Sequence, residues 1–76
     1  MKNNPNPVSP QEWVRQMFSA KSAIDGGIVR RKVTDVDRLI GRERFLDEVR
    51  RRGFRVVENA GQFIILCNRE SVRLLE

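Results

Sequence analysis

Apolar positions recur along this chain first at helical spacing, then in alternation, then at helical spacing again, and finally in two alternating runs. Trp13, Met17, Ala20 and Ile24 fall in one narrow arc at about 100° per residue, flanked by Val14 and Phe18, which predicts a first helix. Ser9 stands at its N-cap, Pro10 at the first helical position and Glu12 at the capping-box spacing. Asp25-Gly26-Gly27 supplies the stop. Ile28 to Val33 then reads as a strand, with Val29, Arg31 and Val33 on one face and Ile28, Arg30 and Lys32 on the other.

Thr34 is the candidate cap of the next helix, with Asp37 at the spacing to reach back. From Asp35 to Arg52 the spacing admits one helix or two. With Phe45 at zero on a helical wheel, Phe45, Val49 and Leu46 point to roughly 0°, 40° and 100°. Leu39, Val36 and Ile40 point to roughly 120°, 180° and 220° on the same wheel. A straight helix cannot bury both groups against one surface, so two helices joined by a tight turn near Gly41 explain the pattern better. Gly53 closes the second. Phe54 to Glu58 and Gln62 to Asn68 follow as a hairpin across Asn59-Ala60-Gly61, a three-residue loop with glycine at the left-handed position. That register sets Glu58 opposite Gln62. One face would carry Phe54, Val56, Ile64 and Leu66, and the other Val57, Phe63, Ile65 and Cys67.

The expected fold class is therefore α+β: helix, strand, helix, turn, helix, β-hairpin, with a small three-stranded antiparallel sheet. Residues 1–8 are Asn- and Pro-rich and are expected to form a disordered tail, and 9–76 one small domain. Both faces of the last strand are apolar, so a sheet covered by helices on one side needs a second cover. The segment Ser71 to Leu75 could supply it, as could a second copy of the chain.

Composition narrows the chemistry. Cys67 is the only cysteine and histidine is absent, which excludes an intrachain disulfide and a Cys/His zinc site. Histidine and tyrosine are both missing, so no ordinary nucleophile–base pair can be assembled, and Cys67 in an apolar strand reads as a buried, inert thiol. Asp35 and Asp37 read as helix-start carboxylates rather than as magnesium ligands. No catalytic residue, metal or cofactor is expected. The longest apolar run, Phe63 to Cys67, is far short of the roughly 20 residues that span a bilayer. With no apolar stretch at the N-terminus to direct export, a soluble protein of the cytoplasm is expected.

Charge adds the positive signal. Arg30, Arg31, Lys32, Arg38, Arg42, Arg44, Arg50, Arg51, Arg52 and Arg55 stand against Asp35, Asp37, Glu43, Asp47 and Glu48. Ten minus five gives +5, the whole net charge of the chain, and arginines predominate, which suits bidentate contacts to phosphate or carboxylate. Arg30, Lys32, Arg42, Arg44, Arg50, Arg51, Arg52 and Arg55 are the candidate nucleic-acid contacts. They would form one patch if the first strand lies beside the hairpin. Phe63 is a candidate stacking platform for single-stranded RNA, or else core.

The order of elements resembles the winged-helix family, over about residues 9 to 68. That resemblance implies a supporting helix at Asp35 to Ile40, a turn at Gly41-Arg42, a groove-entering helix at Arg42 to Arg52, and a wing tip at Glu58 to Gln62. Two departures stand out: Glu43, Asp47 and Glu48 share the helix with the arginines, and the wing tip carries no cation. Separately, Gly26 to Arg31 and Val57 to Phe63 are similar to short bacterial proteins labelled phosphoribosylanthranilate isomerase. That activity implies a (β/α)₈ barrel of about 200 residues or more, which a chain of 76 residues cannot form.

Two functions are expected from different classes. One is a small basic nucleic-acid-binding or regulatory domain, acting on DNA or RNA. The other is a protein-interaction module or homodimerising accessory protein, whose interface would be Val57, Phe63 and Ile65. No membrane partner is expected.

Overall fold

In a computed structural model that describes residues 9–76, four helices cover one face of a three-stranded antiparallel sheet. The order is α1 (Pro10–Phe18), α2 (Lys21–Ile24), β1 (Ile28–Lys32), α3 (Val33–Leu39), α4 (Arg42–Arg51), β2 (Arg55–Asn59) and β3 (Gln62–Leu66). The fold class is α+β, as the residue pattern predicts. The expectation for residues 1–8 lies outside the described residues. Among the described residues no helix is long and apolar enough to cross a membrane.

The start of α1 follows its sequence signals: Ser9 Oγ accepts from the Glu12 amide at 3.1 Å, with Pro10 in the first turn. Its length does not. Ser19 Oγ donates back to the Gln16 carbonyl at 3.0 Å, a local bond that competes with helix propagation, and Ala20 is extended. The chain restarts as α2, which turns Ala23 into the core and leaves Ile24 at 72% exposure. The single arc from Trp13 to Ile24 is thus broken after Phe18.

β1 ends one residue earlier than expected. The Val33 amide donates to the carbonyl of Gly61 at the hairpin turn, 2.9 Å away, and α3 begins there. Lys32 occupies the N-cap, so Thr34 lies inside the helix and does not cap it. Two helices do meet at Gly41, whose φ of 88° is in the left-handed region. Its amide bonds to the Val36 carbonyl at 2.8 Å while its own carbonyl accepts from Phe45 at 3.1 Å. That turn lets Val36 and Phe45, from two helices, both reach zero exposure in one core.

The sheet order is β1-β3-β2, both pairings antiparallel. The hairpin register differs by one residue from the expectation. Asn59 pairs with Gln62, and the loop is the two residues Ala60 (φ 52°) and Gly61 (φ 76°). Two successive positive φ values make the turn that best matches the right-handed twist of a two-residue hairpin. Because side chains alternate, the shift exchanges the faces of β2. The inner face carries Val29, Ile65 and Val56 in one row and Arg31, Phe63 and Glu58 in the next. Met17, Val36, Phe45 and Ile65 are the largest fully buried side chains, and the Phe45 and Phe63 rings lie 4.8 Å apart. Among the described residues nothing covers the outer face of the sheet. Ser71 to Glu76 forms no helix or strand and stays exposed, so the segment does not supply the second cover.

Candidate interaction surfaces

Phe45 and Val49 fix the rotation of α4 by burying one side of it, which leaves Arg44, Asp47 and Arg51 on the opposite side. Two of the three carboxylates of α4 are paired, and exposed Glu43 has no ion-pair partner among the described residues. Asp47 pairs with Arg50 at 3.3 Å, and Glu48 accepts from Arg51 at 2.9 Å and from Arg52 at 2.6 Å. The hydrogen bond from Arg52 is the main reason that the Glu48 carboxyl is held below its ordinary range, against an opposing effect of partial burial. Arg44 has no ion-pair partner among the described residues. It lines an open groove of about 370 Å³ between α1 and α4, with Gln11, Arg15, Glu48, Arg51 and Arg52.

Arg42 and Arg52 are committed to the scaffold. The Arg42 guanidinium lies 5.2 Å from the Phe63 ring centroid and reaches Asp37 at 3.4 Å and Glu58 at 3.8 Å, so it joins α3, α4 and β2. Arg52 stacks on Phe18 at 4.3 Å. The two carboxylates of α3 are also paired, Asp35 of the first turn with Arg38 at 3.1 Å and Asp37, further along the helix, with Arg42. Among the described residues no group of three or more metal-ligating side chains gathers.

The expected single basic patch is divided in two. Arg30, Lys32 and Arg55 project from the outer face of the sheet, whereas α4 packs on the inner face, and the core lies between them. Arg44, Arg50 and Arg51 therefore share one surface, and Arg30, Lys32 and Arg55 share another. β1 does lie beside the hairpin strand β3, yet the alternation of side chains sends its two exposed cations away from α4.

The expected interface residues also separate. Phe63 (4% exposed) and Ile65 (0%) are core, while Val57 (47%) is on the outer face. Phe63 is therefore not available as a stacking platform. The outer face instead has three rows across the strands: Ile28, Leu66, Arg55; Arg30, Ile64, Val57; and Lys32, Gln62, Asn59. Ile28, Ile64 and Leu66 were not in the expected interface. The two-residue loop at Ala60-Gly61 sets Val57 on the same face as Ile64 and Leu66. Arg15 was also missed, because the single long helix gave no reason to set its exposed side against α4. Cys67 is buried, and desolvation pushes its thiol up from the ordinary range, partly offset by Arg31.

Comparisons of the chain with protein-family models, with curated proteins and with solved structures return no match.

Proposed function

We propose that this protein is a nucleic-acid-binding module that presents α4 to the phosphate backbone, with Arg44, Arg50 and Arg51 as its contacts. The observation that carries this reading is Arg44, which has no ion-pair partner among the described residues and lines a groove with Arg15 and Arg51. Exposed ion pairs such as Arg50–Asp47 are worth about 0–1 kcal/mol, so a phosphate can displace the carboxylate at little cost. The placement of β1 beside β3 and the Gly41 turn support the winged-helix resemblance. The hairpin tip adds nothing to the attraction, because Glu58 to Gln62 holds no cation. With Phe63 buried, base stacking is not the source of affinity, and a duplex backbone suits the surface better than an unstacked single strand.

Fluorescence anisotropy with labelled duplex DNA and single-stranded RNA, at low and moderate salt, tests the reading. Binding to the duplex that weakens steeply with salt is expected. Replacing Arg44, Arg50 and Arg51 together by alanine is expected to reduce affinity by about tenfold or more and to flatten the salt dependence. Absence of binding at low salt, or binding unchanged in the triple variant, removes this function. The uncovered outer sheet face favours a second reading, a protein-interaction module, on a surface separate from α4.

A further inference from the structure

We infer that the segment Ser71–Glu76 of one copy docks on the outer sheet face of a second copy, giving a reciprocal dimer by exchange of C-terminal segments. The inference is independent of the nucleic-acid reading, since the outer face and α4 lie on opposite sides of the core.

The face is apolar through its middle and cationic at its borders. Ile28 and Val57 are 48% and 47% exposed, with half-buried Ile64 and Leu66 between them. Arg30, Lys32 and Arg55 surround this stripe, and none has an ion-pair partner among the described residues. Among the described strand residues no carboxylate shares the face; its remaining polar side chains are Gln62 and Asn59. Two such faces stacked directly would set arginines and a lysine against one another. The face therefore calls for an apolar segment flanked by carboxylates.

The chain has such a segment. Val72, Leu74 and Leu75 are 51%, 91% and 83% exposed, and Glu70 and Glu76 bracket them with only Arg73 opposing. The chain is held in place just before it: Asn68 Nδ2 donates to the Gly26 carbonyl at 3.0 Å, and Arg69 Nε donates to the Arg52 carbonyl at 3.1 Å. Six residues at about 3.3 Å each extend roughly 20 Å, enough to cross the length of a five-residue strand. Among the described residues of one chain, segment and face both remain open. A second copy satisfies both at once, with aliphatic side chains against the stripe and glutamates near the border cations.

Sedimentation or light scattering across micromolar to submillimolar concentrations tests the exchange. A dimer is expected, with Leu74→Asp/Leu75→Asp in the segment and Ile64→Asp on the face each weakening it by at least about tenfold. Circular dichroism should show both variants folded, since none of these residues belongs to the buried core. Arg30→Glu/Lys32→Glu should also weaken the dimer, and Glu70→Arg/Glu76→Arg in the same chain should restore it, which loss of folding would not allow. A monomer at every concentration overturns the inference, as does a dimer that is insensitive to the segment variant. A cysteine pair at Leu74 and Ile64 that cross-links within a single chain also overturns it, by placing the segment on its own sheet.

Discussion

The guanidinium of Arg52 lies 4.3 Å from the ring centroid of Phe18, at the junction where the end of α4 crosses the end of α1. Its Nη1 also donates to Glu48 Oε1 at 2.6 Å and to the Glu48 carbonyl at 3.0 Å, while the Arg52 carbonyl accepts from Arg69. One residue thus ties together two helices and the chain that follows β3. A planar, weakly hydrated cation suits the position, because it can cover a ring and bond at its edge together.

Arg52→Ala is expected to lower stability by about 1–2 kcal/mol through the lost stacking and charge-assisted bond. Arg52→Lys should recover less than half of that, having charge but no plane to lay on the ring. Thermal unfolding of the two variants and of Phe18→Leu, combined in a double-mutant cycle, measures the coupling. An Arg52→Ala change of only a few tenths would show that the stack contributes nothing.

Glu48 makes stability pH-dependent on the acid side. Its carboxyl is more acidic when folded, chiefly through the hydrogen bond from Arg52. The unfolded chain therefore takes up a proton first as pH falls. The contribution is complete above the ordinary glutamate value of about 4.3 and is lost below it, as pH passes through the lowered folded value. Glu48→Gln should be less stable near neutrality and should lose less between there and about pH 3. Denaturant titrations at the two pH values read this directly. Parallel losses in the two proteins would mean that Glu48 is not the group responsible.

Ile64 and Ile65 are neighbours on β3 with opposite fates. Ile65 is fully buried between the helices and the sheet, so Ile65→Asp should unfold the protein, since a carboxylate there has no partner. Ile64→Asp should leave the far-ultraviolet dichroism native. Equal effects from the two substitutions would contradict the sheet register.

Ala60 takes a φ of 52° in the hairpin turn, a conformation that disfavours side chains other than asparagine, aspartate and glycine. Ala60→Asn creates an Asn-Gly turn and should raise stability by about 0.5–1 kcal/mol. A lowered melting temperature would argue against the two-residue loop.

Local signals carried the order of elements a long way. The cap at Ser9, the break at Gly41 and the alternation in β1 depend on interactions within a few residues, and each is legible from the residues involved. The same locality explains what was missed. Whether α1 continues past Ser19 depends on a hydroxyl choosing a carbonyl over solvent, and periodicity does not register that choice. Whether the hairpin loop has two residues or three depends on Ala60 accepting a left-handed backbone that its side chain disfavours. That one-residue difference sets Val57 on the face opposite Phe63 and Ile65, and packing of the helices makes their face the core.

By itself, the sequence determined the α+β class, the two helices about Gly41, the net charge and the segment that carries it, because these follow from residue type and short spacing. Only the tertiary structure decided where the charge goes. Packing of Phe45 against Phe63 places α4 on the inner face of the sheet, and strand alternation then sends Arg30, Lys32 and Arg55 to the other side of the core from Arg44, Arg50 and Arg51. A count along the chain sums those charges, whereas a sheet with two faces divides them.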